Sequence, residues 1–397
     1  MQHFKATPKY EVKTSDKLGR YLVAAKDLKA GDKILTDEPF VVGPSSESSL
    51  VCFNCYLPLI SKFFVCKQCA VAPICPGEGC PEPVHKKWHT ETECEVFRIL
   101  KLTKNLNPMT MVQNLESLLA LRVLLKKKSD PQGWKQFMEL ETHLDQRKGT
   151  AVWELNKNVE KFIQSLGLLE GEKDPDLVQK ICAAIDVNSF EVRGPRVPAI
   201  GCSELLRGVY LKAALLAHDC ISNTHMSISD TNLIVCHASV DIKKGDVIYN
   251  SYTDPLKGTL IRQQLLQIGK YFKCSCVRCS DATELGTYMS SALCPDCKTG
   301  YISRIEDEWQ CHSCAKNFDH TVVGNTVKSC LEKFNVISKL VLFFFFISTT
   351  YMKGQNVEQS LLCDVIGSRT CRKMHHCDSS ITFIYVRWLV ICHLRSS

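Results

Sequence analysis

Residues 52–94 read CFNCYLPLISKFFVCKQCAVAPICPGEGCPEPVHKKWHTETEC. The spacing is C-x2-C-x10-C-x2-C-x5-C-x4-C-x8-H-x4-C, seven cysteines and a histidine in about a tenth of the chain. Eight soft ligands make two four-coordinate sites, and thiolate with imidazole selects Zn²⁺. Prolines and glycines from Pro58 to Pro83 break the stretch, so it buries too little apolar surface to fold alone. Metal would supply the missing folding free energy, on the order of 10 kcal/mol per site. If alternate pairs share a metal, Cys52, Cys55, Cys75 and Cys80 hold one ion. Cys66, Cys69, His89 and Cys94 hold the other, with His85 a rival for His89. All coordination positions are then filled by protein, which marks structural sites and not catalytic ones.

The rest of the composition is that of an ordinary globular chain. The 397 residues are 45% hydrophobic and 23% charged, room for two or three domains. The 23 cysteines stand in close pairs, and Met1–Lys9 is polar and basic without an apolar run, which points to metal ligation in a reducing compartment over disulfides. A net charge of +7 is mild and reads as a solvated surface, not as a nucleic-acid footprint. No zinc pair sits beside a basic recognition helix, so nucleic acid is not expected as the primary partner. The apolar runs Leu340–Ile347 and Thr382–Leu394 fall short of the roughly 18–20 residues of a membrane span, and no membrane association is expected.

Outward from the cysteine stretch, the pattern alternates between strand and helix. Leu18–Gly43 reads as two strands separated by the turn Lys29-Ala30-Gly31-Asp32. From Glu95 to about Asp186 the periodicity is helical, with Leu115, Leu118, Leu121 and Leu125 on one stripe. Strand character returns in NSFEV and in Leu233–Val240 and Asp246–Tyr252, around the turn Lys243-Lys244-Gly245. Gly258–Tyr271 reads as a helix carrying Leu260, Leu265, Leu266 and Ile268. One sheet interrupted by a long insertion explains this order better than three consecutive beads. Residues 348–379, between the two apolar runs, have no periodicity, and residues from about 325 on are expected not to be an evolved fold.

Two further cysteine groups follow. Cys274, Cys276 and Cys279 spell C-x-C-x2-C, which leaves a tetrahedral zinc one ligand short, and Cys220 in AHDCISN (217–223) is the natural fourth. That closure would bring His218, Tyr252 and Phe272 together. Cys294, Cys297, Cys311 and Cys314 form two CxxC knuckles of zinc-ribbon type, with Tyr301 and Trp309 to pack around them. Three to four zinc ions are expected in all. Cys182, Cys202 and Cys236 read as ordinary buried thiols.

The cysteine stretch with its WH…EC ending resembles the MYND zinc finger. Gly19-Arg20-Tyr21-Leu22, AHDCISN, Ser251-Tyr252 and the CxCxxC together resemble the SET domain and its post-SET zinc site. A MYND finger inside a split SET domain, followed by a helical insert, is the layout of the SET and MYND domain family. The resemblance spans about residues 8–320 and is nearest the arthropod branch. It implies an α+β fold: SET N-terminal part 8–50, MYND finger 51–95, helical insert 96–186, SET core 187–256, post-SET zinc region 257–282, and a CxxC/CxxC zinc site at 283–320.

The resemblance implies S-adenosylmethionine-dependent methylation of a protein lysine, on a histone or another protein. The MYND finger would bind proline-rich partners, and the chain would work in nucleus and cytoplasm. Tyr252 would be the catalytic residue, orienting the amine or assisting its deprotonation. Gly19, Arg20, Ala217, His218, Tyr252 and Phe272 would hold the cofactor. The departures are Ala217 where the family has asparagine, Tyr21 for glycine, Ser222 for proline, and Lys270 at the place of a second channel tyrosine. The loss of a side-chain hydrogen bond to a charged ligand costs about 1.5–3 kcal/mol. A catalytically weak scaffold that recruits partners in transcriptional regulation is therefore the second reading.

Overall fold

The computed structural model describes residues 8–59, 63–76, 88–195, 203–305, 308–326 and 329. Cys80, His85, Cys202 and nearly all of residues 325–397 lie outside the described residues, and with them the expectations placed there. The chain divides into two units, Met1–Leu285 and Gly286–Ser397.

The first unit opens with a hairpin of β1 (Tyr10–Ser15) and β2 (Gly19–Ala24), paired from Tyr10↔Ala24 to Ser15↔Gly19. β1 escaped the sequence reading because its residues are exposed or half-buried, with no apolar alternation to betray it. β2 ends in Leu22, Val23 and Ala24, which are buried, and Gly19 starts it in the left-handed region at φ +63°. The single strand expected over KILTDEPFVVG is two, β3 (Lys33–Asp37) and β4 (Val41–Pro44), separated at Pro39. Pro39 has no N–H for a ladder, which accounts for the break.

Then comes the cysteine-rich segment, with only a two-residue hairpin of β5 (Phe64–Val65) and β6 (Pro73–Ile74) as regular structure. The helical block follows: α1 (Glu91–Lys104), α2 (Pro108–Gln113), α3 (Ser117–Ser129), α4 (Pro131–Met138), α5 (Leu144–Arg147), α6 (Ala151–Ser165) and α7 (Leu177–Asn188). Its starts obey capping chemistry. Thr90, Asn107, Asp130 and Thr150 each accept a backbone N–H three residues on. α3 is buried from Ser117 to Leu124 and is the axis of the block.

The sheet resumes with β7 (Ser189–Arg193), β8 (Leu205–Val209), β9 (Ala217–His218), β10 (Thr224–Ile228), β11 (Ile234–Ala238) and β12 (Tyr249–Asn250). Strands from both sides of the insertion pair with each other: β3 joins β11 in the sheet β10-β11-β3, and β4 joins β8 in the sheet β4-β8-β7. This re-joining is the split sheet that the segment order suggested. One core gathers Leu22, Leu28, Val42, Leu206, Tyr210, Leu216, Cys236 and Ile248 from both halves. Buried Asp37 ties them further, accepting the N–H groups of Lys212 at 2.7 Å and Ala213 at 2.9 Å. The unit closes with α8 (Thr259–Lys270) and the short α9 (Val277–Ser280). On α8 the buried residues are Arg262 and Leu266, whereas Leu265 and Ile268 face solvent.

The described part of the second unit is a four-stranded antiparallel sheet, β13 (Ala292–Leu293), β14 (Tyr301–Ile305), β15 (Glu308–Cys311) and β16 (Asn317–Phe318), in that order. Tyr301 stacks on Tyr288 at 4.6 Å. No helix among the described residues is long and apolar enough to cross a membrane.

Candidate active site and metal centres

Among the described residues, cysteines and one histidine gather in four groups, within each of which the ligand atoms lie inside 4.8 Å of one another. They are Cys66, Cys69, His89 and Cys94; Cys220, Cys274, Cys276 and Cys279; Cys294, Cys297, Cys311 and Cys314; and Cys52, Cys55 and Cys75. Such sets of soft ligands fit tetrahedral zinc, and each could hold one ion. In the finger the pairs alternate, so two strings of ligands interlock through one short hairpin.

His89 shows how the second shell is built. Its Nε2 lies 3.5 Å from Cys69 Sγ, and its Nδ1 lies 2.8 Å from Glu93 Oε1. Glu93 in turn takes Arg122 through both oxygens, Nε at 2.6 Å and Nη2 at 3.0 Å. Arg122 also donates to Phe53 O at 2.9 Å, to Val42 O at 3.2 Å and to the Tyr56 phenol, which itself donates to Val42 O at 2.5 Å. A ligand histidine held by a carboxylate has a fixed ring and tautomer. Here the carboxylate is held by an arginine from α3, and the arginine by the carbonyl of β4. Burial raises the Cys69 thiol, but His89 and the N–H groups of Ala72 and Val71 bring it down to about 7. None of Glu93, Arg122 or Tyr56 was picked out from the sequence; only the [WH]…EC spacing hinted at Glu93.

The group at Cys220 has its own cation. Arg262 is fully buried and directs Nε to Cys220 Sγ at 3.2 Å and Nη2 to Cys279 Sγ at 3.4 Å. Glu284 pairs with Arg262 at 2.9 Å and with Arg278 at 3.3 Å. A guanidinium against thiolate sulfurs offsets their charge where water cannot. The Cys294 group is more open, with Cys314 exposed, and Thr299 with nearby N–H groups holds the Cys297 thiol down at about 6.

Beside Cys220 the chain arranges the residues expected at an active site. His218 sits on β9 next to β12, with which it pairs in parallel. Its Nδ1 accepts the Tyr252 N–H at 3.0 Å, its Nε2 lies 3.4 Å from Cys220 Sγ, and its ring faces Tyr252 at 5.1 Å and Phe272 at 5.8 Å. Burial pushes the imidazole down to about 4, so it is neutral at physiological pH. Asn223 splints the neighbouring strand, accepting Tyr249 N–H at 2.7 Å and donating to Val247 O at 2.8 Å. Ser222 Oγ, in the proline place, lies 2.8 Å from Tyr249 O and from Thr224 O. The signature segment thus fixes the backbone that carries Tyr252.

Tyr252 donates its phenol to Leu216 O at 2.5 Å, and burial pushes that phenol up to about 12. It is therefore held as a protonated donor near neutrality, which suits the orienting part of the role expected for it. The residue remains 36% exposed and forms a wall of a cleft of about 190 Å³. Val187–Glu191, Ala213, Ala214 and Asn250 supply most of the other walls, and Lys270 lines it too. Tyr271, next along, instead turns to His143 at 5.2 Å and to Arg147.

The expected cofactor residues fit S-adenosylmethionine in part. Around Gly19 there is open space, since a Cβ there would meet nothing within 4 Å, and its backbone can be approached closely. Phe272 is half-buried with one ring contact to His218. Arg20, however, commits its guanidinium to Glu139, donating to Oε2 at 2.9 Å and to the backbone O at 2.6 Å, so only its main chain is left for a ligand. Ala217 is buried and offers no side-chain donor or acceptor.

A scan against models of protein families finds no match. Curated relatives do match. The SET domain-containing protein SmydA-8, isoform A, of Drosophila melanogaster is 27% identical over 358 residues, 81% of this chain and 71% of that protein. The N-lysine methyltransferase SMYD2 of Homo sapiens is 25% identical over 272 residues, 66% of this chain and 58% of that protein. A SET and MYND domain-containing protein of Dictyostelium discoideum is 23% identical over 328 residues, 70% and 83% of the two chains. Among solved structures, the SET domain of LSMT bound to lysine and AdoHcy matches at a TM-score of 0.35 and 14% identity, covering 68% of this chain and 54% of that one. A likeness so remote carries no argument about the site. By sequence, the chain is similar over most of its length to SET domain-containing proteins. More narrowly, it is a homologue of the SET and MYND domain proteins.

Proposed function

We propose that the chain is an S-adenosylmethionine-dependent protein-lysine N-methyltransferase of the SET and MYND type, acting on a histone or another protein. One observation carries the reading. The His218 imidazole holds the Tyr252 backbone at 3.0 Å with Phe272 beside it, while the Tyr252 ring walls a cleft. A cofactor side and an acceptor side thus meet at one tyrosine. Human SMYD2, to which the chain is 25% identical, is a named N-lysine methyltransferase.

The methyl donor, when bound, supplies an electrophilic methyl on a sulfonium. The main chain at Gly19 and Arg20 and the Phe272 ring would hold it. Tyr252 orients the acceptor amine against its ring and keeps its own proton on Leu216 O. Neutral His218 positions Tyr252 without adding a charge that would repel a sulfonium. Such a reaction asks mainly for alignment and exclusion of water, which a narrow cleft provides.

The zinc groups are proposed as structural, three to four ions in all, with the finger as a docking module for proline-rich peptides. The segment bounds 8–50, 51–95, 96–186, 187–256, 257–282 and 283–320 remain our working division, and nucleus and cytoplasm our working location. A second reading, a weakly catalytic scaffold that recruits partners in transcriptional regulation, is favoured by Lys270 in the cleft and by Ala217.

Calorimetry with S-adenosylmethionine tests the first reading. Binding, followed by transfer of labelled methyl to a histone mixture that Tyr252→Phe abolishes, supports it. No heat at millimolar cofactor would leave the scaffold.

A further inference from the structure

Lys270, the last residue of α8, extends its amine into the cleft. Nζ lies 5.2 Å from the centroid of the Tyr252 ring and donates to Val187 O at the end of α7. The amine is thus held at two points, an aromatic face and a carbonyl, which are the partners an ammonium seeks in a half-buried site.

The surroundings do not neutralise it. Among the described residues no carboxylate bridges Lys270. The nearby Asp186 is taken by Arg147 and by Arg207, whose Nη2 lies 2.8 Å from Asp186 Oδ1. Burial and then Arg207 lower the Lys270 amine to about 8. An amine is therefore already present in the cleft, against the ring that walls it.

We propose that Lys270 determines how readily this cleft takes an acceptor: its amine holds the place against Tyr252 that an incoming lysine amine would occupy, and competes with it. The inference rests on reading the cleft as the acceptor channel. The chain would then take a primary amine more weakly than a chain without Lys270.

The test is an NMR titration of n-butylammonium chloride into the zinc-loaded full chain, following the Tyr252 ring resonances. Lys270→Met, which keeps length and drops charge, is expected to bind the probe at least about tenfold tighter than the unaltered chain. Lys270→Arg is expected to stay as weak as the unaltered chain. Equal binding by the unaltered chain and Lys270→Met, or a gain in Lys270→Arg, overturns the proposal. If Lys270→Met does not fold by zinc content and thermal midpoint, Lys270→Gln gives the same reading. Failure of this inference and of the methyltransferase reading are separable: an amine gained by Lys270→Met without cofactor binding keeps the first and ends the second. Cofactor binding with no amine effect does the reverse.

Discussion

Glu93 and Arg122 form a two-pronged ion pair, at 2.6 and 3.0 Å, with side-chain exposures of 1% and 6%. Each end has a further duty. Glu93 fixes the His89 ring of a metal group, and Arg122 reaches the carbonyl of Val42 in the sheet. The pair is a bolt between a segment that metal folds and a sheet that apolar packing folds.

Removing one half of that bolt leaves the other buried without a partner. Glu93→Ala is expected to lower stability by about 3–5 kcal/mol, read as the shift of the urea midpoint at saturating zinc. Glu93→Gln, which keeps an acceptor, should lose less. Equal midpoints for Glu93→Ala and the unaltered chain would show that the pair contributes nothing.

Metal content follows from the four ligand groups. Elemental analysis of the purified chain is expected to return three to four zinc ions, and Cys274→Ser to return one fewer. The chelated chain should unfold at a lower temperature, because zinc binding is folding free energy for a segment with so little regular structure. A chain that is fully folded after complete chelation contradicts this.

Arg262 should tune the metal group it touches. Arg262→Met removes the guanidinium from Cys220 and Cys279 and leaves Glu284 paired with Arg278. Zinc affinity there is expected to fall about 10- to 100-fold, measured by competition with a chromophoric chelator. The Cys294 group, in the other unit, serves as the internal reference.

The amine of Lys270 should titrate near 8, against 10.5 for a free lysine side chain. Arg207 and Asp186 bear on it, and His143 and His218 feel its charge. Between those two values the folded chain binds fewer protons at this residue than the unfolded chain. The Lys270 contribution to stability therefore rises as pH rises through that window. Carbon-13 NMR of the lysine side chains locates the titration, and Lys270→Met should flatten the corresponding slope of stability against pH. A titration at the ordinary lysine value would remove this electrostatic account of the cleft.

How much of this was legible beforehand depended on sequence distance. Metal ligands come as adjacent pairs of one residue type, so spacing alone paired Cys66 with Cys69 and Cys274 with Cys276 and Cys279, and Cys220 followed as the missing fourth. The groups now seen together are those sets, while Cys80 lies outside the described residues. The split sheet was legible from the order of strand-like and helical segments. Second-shell partners were not, because Arg122 stands 29 residues from Glu93, and Arg20 stands 119 from Glu139. Nothing local marks a charged residue that finds its mate across the fold. The faces of α8 were not legible for a related reason: Arg262, directed at the Cys220 sulfur, is buried, while Leu265 and Ile268 face out. Propensity and periodicity have no account of that.

The turn at Glu139–His143 contacts three different parts of the first unit. Glu139 holds Arg20, Glu141 O accepts from Asn188 at 2.8 Å, and the His143 ring lies against Tyr271. A five-residue connection thus behaves as a crossbar between the first hairpin, the floor of the cleft and the end of α8. A binding event on the helical block that tilts this crossbar would be transmitted to all three at once, so the insert is the natural handle by which a partner could adjust the cleft from outside.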